Sequence, residues 1–121
     1  MKLVYITGPN VGSSYHQTEA YITYAREWAE RLARAGYAFY CPHLNTAHFD
    51  TIAPDVPETF WREMNLNILR RCDAALVVPG WDNDEATRRD AEYAERWGVP
   101  VVLDIDEIAQ LRVKKTRRSG S

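Results

Sequence analysis

The feature that most constrains the fold is a short apolar run followed by a turn, an acidic loop and an amphipathic helix. Residues 74–78 (Ala-Ala-Leu-Val-Val) are uninterrupted apolar residues, and Pro79 and Gly80 end the run. Such a run is typical of a strand that is covered on both faces in a parallel sheet. The loop after it therefore lies at the carboxyl end of a strand, where open α/β sheets bind their ligands.

The helix predicted at residues 85–97 carries an acid on its apolar side. The apolar face contains Ala86, Ala94 and Trp97. At about 100° per residue, Asp90 falls on this same face, whereas the arginines and glutamates take the opposite face. A carboxylate is seldom buried without a partner, because removing its charge from water costs several kcal/mol. We therefore expect Asp90 to lie at the edge of a cleft or to contact a partner.

The rest of the chain alternates strands and helices. We predict strands at residues 2–7, 37–41, 74–78 and 101–103, helices at 18–35, 57–71 and 85–97, and a closing helix or turn at 104–111. The mostly short connections favour a parallel sheet with right-handed crossovers. The expected fold class is α/β: a Rossmann-like (flavodoxin-like) doubly wound parallel sheet of about four strands in the order 2-1-3-4, in a single domain.

Two features in the middle of the chain also concern the cleft. Residues 42–57 form a long connection, and a loop of this length is usually functional or disordered; its aromatic and apolar residues favour a functional one. The helix after it is expected to bury Phe60, Trp61, Met64, Ile68 and Cys72. Asn65 lies at the edge of that stripe, so its amide is either a structural bridge or a polar group that faces the cleft.

Length and charge restrict the possible partners. The 121 residues are expected to form one domain at 1–111, followed by a basic, disordered tail at 112–121. That tail holds five of the 15 basic residues, which leaves 10 basic against 17 acidic residues before it. An acidic body argues against a duplex nucleic-acid partner. Since no apolar stretch approaches the roughly 18 residues of a membrane span, we expect no membrane partner and a cytoplasmic location.

Known ligand-binding signatures are absent from the sequence. Cys41 and Cys72 match no metal or redox spacing and are expected to be reduced packing residues. His43 and His48 are five residues apart, which fits neither a helical metal pair nor a zinc finger, so no metal site is expected. The loop at residues 8–17 is neither a G-x-G-x-x-G nor a Walker A sequence, so neither a dinucleotide nor a nucleoside triphosphate is implied.

The predicted topology brings the loops after the first and third strands together. Residues 8–15, residues 81–84 and Asp90 then surround one crevice that is rich in carboxylates, hydroxyls and aromatic rings. This inventory suits chemistry at the anomeric carbon of a sugar, where the transition state resembles an oxocarbenium ion. One carboxylate stabilises that state or attacks to form a covalent intermediate, while another acid assists the leaving group.

Aromatic residues near the crevice are candidates to stack on a base. The candidates are Tyr5, Tyr15 and Trp81. The alternative interpretation is structural: Tyr5 would belong to the core of its strand, and Trp81 would anchor its loop.

Four segments, in this order, resemble the nucleoside 2-deoxyribosyltransferase-like superfamily, and its small bacterial and phage members in particular. They are Tyr5-Ile6-Thr7-Gly8-Pro9, the run from Pro42 to Phe49 (Pro-His-Leu-Asn-Thr-Ala-His-Phe), the run from Ile68 to Ala74 (Ile-Leu-Arg-Arg-Cys-Asp-Ala), and Pro79-Gly80-Trp81. The resemblance covers about residues 2–103.

The resemblance implies a Rossmann-like homo-oligomer that cleaves or exchanges the N-glycosidic bond of a small nucleoside or nucleotide without a cofactor. Asp90 matches the position of the family's nucleophilic Glu, and Asp84 matches the residue that binds and orients the sugar. Asn65 matches an acid near the leaving base. Gly8 and Pro9 match the loop on the ribose side.

The chain departs from the family pattern at three of these positions. Asp90 is one methylene shorter than Glu, Ala86 replaces a Gly, and Asn65 cannot ionise. A displacement of about 1 Å in an active site can lower a rate by about 10²-fold. Two alternatives to an enzyme therefore remain: a nucleotide-binding module that has lost catalysis, and a structural role for Asp90 in an ion pair between subunits.

Overall fold

The computed structural model describes residues 1–8, 15–81 and 83–111, and its central element is a four-stranded parallel sheet in the order β2-β1-β3-β4. The strands are β1 (Leu3–Thr7), β2 (Ala38–Tyr40), β3 (Ala74–Val77) and β4 (Val101–Val102). The helices are α1 (Tyr15–Arg34), α2 (Pro42–Asn45), α3 (Phe49–Ile52), α4 (Glu58–Leu69) and α5 (Glu85–Arg96), followed by a 3₁₀ helix at Ile105–Gln110. The predicted α/β class and strand order are confirmed.

The two central strands are buried on both faces, as their apolar sequences predict. On one face, Ile6 and Leu76 pack with Leu32 of α1 and with Ile108 of the 3₁₀ helix. Residues on the opposite face, which alternate with these, pack with α4 and α5: the cluster contains Tyr5, Ala75, Leu69, Cys72, Ala94 and Val99. Helices therefore cover both sides of the sheet, which is the doubly wound arrangement.

The segment at residues 42–57 is more ordered than a long loop. Two short helices, α2 and α3, occupy part of it. Pro42 is at the start of α2, where its fixed φ suits a first helical turn and its missing N–H costs nothing. Between the two helices, His48 adopts a left-handed conformation with φ of 63°. The predicted long connection therefore contains two short helices.

Two predicted core residues are exposed. Phe60 is 51% exposed and packs edge-to-face against Trp61 instead of pointing at the sheet. Trp97 is 53% exposed and follows the last residue of α5. The Arg70 guanidinium lies over the Trp97 ring, 5.0 Å from the centre of that ring. Helical periodicity assigned both residues to a buried face, but tertiary packing leaves them at the rim.

Some predictions concern parts of the chain that lie outside the described residues. These are the ribose-side role of Pro9 and the disorder of the tail at 112–121. Within the described ranges, no helix combines the length and the apolar character that crossing a membrane requires.

Gly8, which follows β1, is in close contact with an aromatic ring. A Cβ atom on Gly8 would lie 1.9 Å from Cε3 of Trp81, and Trp81 is only 7% exposed. We expect Gly8→Ala to lower the free energy of unfolding by about 1–3 kcal/mol or more, because the buried ring must move. Urea denaturation measures this loss.

The matched background for this test is Trp81→Leu, which removes the ring that the new methyl group meets. In that background Gly8→Ala should lower the free energy of unfolding by less than in the wild type, since the effects of substitutions at contacting residues are not additive. Equal losses of stability in the two backgrounds would mean that contact with the Trp81 ring is not the reason why position 8 requires a glycine.

Candidate functional site

A cavity of about 500 Å³ lies beside the sheet and collects several of the predicted site residues. Its wall includes Tyr5 from β1, Trp61 and Asn65 from α4, and Asp90 from α5. The segment at residues 42–57 contributes much of the remaining lining. Asp90, Asn65 and Tyr5, which are far apart in the sequence, therefore meet at one cavity.

Asp90 is held at this cavity by a hydroxyl from the end of β1. Thr7 Oγ1 donates a hydrogen bond to Asp90 Oδ2 at 2.9 Å, and Thr7 itself is buried. Among the described residues, none donates a hydrogen bond to the other oxygen, Oδ1. Asp90 thus has both features expected from its helical position: it lies at the edge of a cleft, and it has a polar partner.

The environment of Asp90 disfavours its ionised form. Burial raises the pKa of the Asp90 carboxyl above its usual range, and the nearby charge of Asp84 acts in the same direction. The hydrogen bond from Thr7 and the positive charges of Arg62 and Arg89 oppose this shift of the pKa. The carboxylate is therefore desolvated but keeps favourable electrostatic neighbours, an arrangement often found where carboxylates take part in chemistry.

A second polar group at the cavity is linked to a pair of tyrosines, Tyr40 and Tyr5. Tyr40 Oη donates to Asn65 Oδ1 at 2.9 Å and accepts from Asn45 Nδ2 at 3.0 Å. The Tyr40 ring packs on Tyr5, with 5.7 Å between the ring centres. Burial raises the pKa of the Tyr5 phenol well above its usual range, and the charge of Asp90 adds to the shift. Tyr5 is only 1% exposed, so its ring belongs mainly to the core of the strand.

Asp84 lies outside the cavity lining, at the amino terminus of α5. Its Oδ2 accepts hydrogen bonds from the backbone N–H of Thr87 at 2.9 Å and from Thr87 Oγ1 at 3.0 Å. This is the contact of a helix N-cap, for which Asp is a preferred residue. The structure thus gives Asp84 a structural contact that holds the helix carrying Asp90.

Trp81 also lies outside the cavity lining. Its ring stacks on His43, with 5.2 Å between centres and 22° between planes. Tyr21 and Tyr24 pack against it edge-to-face. With its faces and edges occupied, and with Gly8 against it, this ring fits the anchor interpretation and not a stacking contact with a base.

The two cysteines are separate buried thiols. Cys41 Sγ lies 3.8 Å from His43 Nδ1, a pairing that the spacing in the sequence did not single out. Burial raises the pKa of the Cys41 thiol to about 11, so it stays protonated at neutral pH and does not act as a nucleophile. Within residues 1–8, 15–81 and 83–111, no three His, Cys, Asp or Glu side chains are grouped so as to hold a metal ion.

Sequence reasoning did not identify Thr7, Tyr40 or Trp61 as site residues. Thr7 is the last residue of a central strand, a position from which a hydroxyl reaches the carboxyl edge of the sheet. Tyr40 ends the neighbouring strand β2. A search for polar side chains at the ends of adjacent strands would have found both.

The raised pKa of Asp90 has a consequence for stability. Because its folded pKa exceeds the unfolded value, the contribution of Asp90 to stability is fully present below the unfolded pKa and is lost as pH rises through the folded pKa. Asp90→Asn has no charge to desolvate, so it should be more stable than the wild type near neutral pH. This advantage should vanish at about pH 3.5, where the wild-type carboxyl is protonated.

Urea denaturation of Asp90→Asn and the wild type at both pH values tests the direction of this stability difference. Asp55→Asn, at an exposed acid between α3 and α4, is the matched control for the loss of one carboxylate. An Asp90→Asn protein that is less stable than the wild type near neutral pH would contradict a raised pKa of the Asp90 carboxyl.

The capping contact of Asp84 allows a separate test. Asp84→Ala should lower the free energy of unfolding by about 1 kcal/mol, because the N–H of Thr87 loses its acceptor. Asp84→Asn should lose much less, since Asn is an equally good N-cap. Thermal and urea denaturation compare the two variants, and equal losses would argue against the cap.

Comparison with solved structures identifies the fold. The 2-desoxiribosyltransferase from Leishmania mexicana is 24% identical with a TM-score of 0.55, and the match covers 84% of this chain and 63% of that protein. The 2-deoxyribosyltransferase from Bacillus psychrosaccharolyticus is 16% identical with a TM-score of 0.56, covering 89% and 80%. This chain therefore spans just under two thirds of the length of the Leishmania protein.

Comparison at the level of sequence gives the family. No curated protein matches the chain significantly. The family described as "Domain of unknown function (DUF4406)" matches residues 2–103, which is most of the chain. The chain belongs to this family, and its fold is that of the nucleoside 2-deoxyribosyltransferases.

Proposed function

We propose that this protein cleaves or transfers the N-glycosidic bond of a deoxynucleoside, nucleoside or nucleotide, with Asp90 as the nucleophile. The observation that carries the proposal is the Asp90 carboxylate at the wall of a cavity of about 500 Å³, with Oδ2 held by Thr7. A cavity of this volume suits a small organic ligand. The shared fold with 2-deoxyribosyltransferases adds support for glycosyl transfer.

The proposed reaction has two steps at the anomeric carbon. Asp90 Oδ1 forms a bond to this carbon while the bond to the base nitrogen breaks, and the base leaves with the electron pair and takes up a proton from water. Water or a second base then attacks the anomeric carbon and releases the Asp90 carboxylate. Arg62 and Arg89 favour its ionised form before attack. The scheme requires no metal or other cofactor.

The other predicted site residues have supporting roles in this proposal. Asn65 is suited to donate a hydrogen bond to the base, although it cannot protonate it. Asp84 positions α5, and we retain a contact between its carboxylate and the sugar as a second, separable role. Gly8 allows the end of β1 to pack against Trp81, and the family resemblance assigns Pro9 to the ribose side.

A nucleotide-binding module without catalysis is the second candidate. The observation that favours it is the amide at position 65, which lines the cavity and cannot supply a proton to a leaving base. The same cavity would then bind the ligand and leave it intact.

We also propose a cytoplasmic homodimer or higher homo-oligomer. Large apolar side chains remain exposed on the surface, among them Phe60, Trp97 and Leu103. Exposed apolar groups of this size are suited to contacts between subunits.

The direct test is incubation with a panel of 2′-deoxynucleosides, ribonucleosides and their 5′-monophosphates, with and without an acceptor base. Chromatography should detect free base or an exchanged nucleoside. Asp90→Asn should reduce the rate on the order of 10⁶-fold, the scale seen when a hydrolase loses its nucleophile, or to background if the wild type is slow.

The control variants separate chemistry from folding. Asp55→Asn should leave the rate unchanged, and Asp84→Asn, which keeps the helix cap, should lower it only if the carboxylate contacts the sugar. Tight binding of a nucleotide that stays intact through prolonged incubation would favour the binding module. Release of base by Asp90→Asn at the wild-type rate would exclude Asp90 as the nucleophile.

A further inference from the structure

We propose that Trp61 and Asn65 of α4 form the base-binding subsite of the cavity, that Tyr40 positions Asn65, and that this subsite selects bases that present an oxo group. The inference rests on the proposed function in taking the ligand to be a nucleobase derivative. It replaces two of the stacking residues expected from the sequence, because Trp81 is enclosed and Tyr5 is 1% exposed.

The aromatic part of this subsite is Trp61. Its side chain is half-buried and lines the cavity. Phe49 and Phe60 pack almost perpendicular to it, with ring centres 5.2 Å and 5.1 Å away. These two contacts hold the indole in one orientation, and Phe49 also lines the cavity. A flat heterocycle therefore finds an ordered aromatic wall there, and every base has a π face that can stack on it.

The polar part is one helical turn away. Residues four apart in a helix lie on the same face, so Asn65 follows Trp61 along the side of α4 that faces the cavity. A ring stacked on Trp61 would thus present its edge near the Asn65 amide. Stacking on the first residue and hydrogen bonding to the second would together orient the base.

Tyr40 determines which end of the Asn65 amide faces the ligand. Its hydroxyl has one hydrogen and accepts from Asn45 Nδ2, so it gives that hydrogen to Asn65 Oδ1. The amide nitrogen of Asn65, with two N–H groups, is then the end left for a ligand. Burial raises the pKa of the Tyr40 phenol, so it remains a donor at neutral and mildly alkaline pH.

A fixed donor at this position discriminates between bases. An oxo group accepts from Asn65 Nδ2, whereas an exocyclic amino group would place two donors against each other and leave both unpaired. Hypoxanthine and uracil carry an oxo group where adenine and cytosine carry an amino group. The subsite should therefore prefer the oxo member of each pair, by about tenfold for one hydrogen bond.

Isothermal calorimetry with the four free bases tests this subsite without requiring catalysis. In the wild type, hypoxanthine should bind about tenfold more tightly than adenine, and uracil about tenfold more tightly than cytosine. Tyr40→Phe should reduce both ratios to about one, because the Asn65 amide can then rotate. Asn65→Asp should reverse both ratios, since its carboxylate only accepts. A purely structural role for either residue would weaken all four bases and leave the ratios unchanged.

Matched controls come from the same elements or the same residue types. Tyr24→Phe removes a hydroxyl that donates to the Pro79 carbonyl, and it should keep the wild-type ratios. Asn67→Asp, on the exposed side of α4, should also keep them. Trp61→Leu should weaken the binding of all four bases by about tenfold with unchanged ratios.

The outcomes separate this inference from the proposed function. Equal or reversed preference in the wild type, ratios that Tyr40→Phe does not change, or no binding of any base at millimolar concentration would each overturn the subsite. Oxo preference that depends on Tyr40, in a protein that releases no base from any nucleoside, would support the subsite and refute the glycosidic reaction. Release of base from all nucleosides alike, with equal affinity for the free bases, would refute the subsite and support the glycosidic reaction.

Discussion

The parallel pairing of β1 with β3 is the constraint on which the site depends. Thr7 lies opposite Val77 in this pairing, so both strands end at the same edge of the sheet. The chain leaves β3 for the turn and helix that carry Asp90, and the pairing brings that helix back over the end of β1. The Thr7 hydroxyl can reach the Asp90 carboxylate only because the two strands are neighbours in register. Residues 83 positions apart in the chain thereby form one hydrogen bond at the cavity.

Close packing at this same edge decides which aromatic residues are available to a ligand. Trp81 fills the space above Gly8 and is surrounded by His43, Tyr21 and Tyr24. A large ring in such a position stabilises the loops by burial, and its surface is no longer open to a base. The aromatic surface of the cavity comes instead from α4 and from the short helix α3, both of which precede β3 in the chain. The proposed stacking contact consequently moves from the loops of the sheet to the wall opposite them.

The polar groups of the cavity divide into a charged and a neutral set. Asp90 has Thr7 as its hydrogen-bond partner and two arginines nearby, an environment that fits a group whose charge takes part in the proposed reaction. Asn65 belongs to a chain of neutral donors and acceptors through Tyr40 and Asn45. Hydrogen bonds in a network of this kind fix the orientation of the side chains that they join. The proposed division of labour, in which Asp90 acts on the sugar and Asn65 on the base, follows from this difference.

Much of the architecture could be predicted from the sequence, because it follows from local patterns. The apolar run at 74–78 required a strand covered on both faces, and the alternation of elements led to the order 2-1-3-4. The same reasoning placed Asp90 and Asn65 on the inner sides of their helices, and both line the cavity. It failed for Phe60 and Trp97, because periodicity identifies the side of a helix but not where the core ends along its length.

The sequence by itself determined the fold class and the helix faces that carry polar groups inward, since hydrophobic periodicity and turn residues act over a few neighbouring positions. Only the tertiary structure decided that Trp81 is an anchor, that Asp84 caps α5, and that Thr7 and Tyr40 hold the two polar groups of the cavity. These roles depend on contacts between distant segments, and such contacts depend on strand register and side-chain packing. Neither strand register nor side-chain packing produces a periodic pattern in the sequence, so neither could be predicted from the sequence alone.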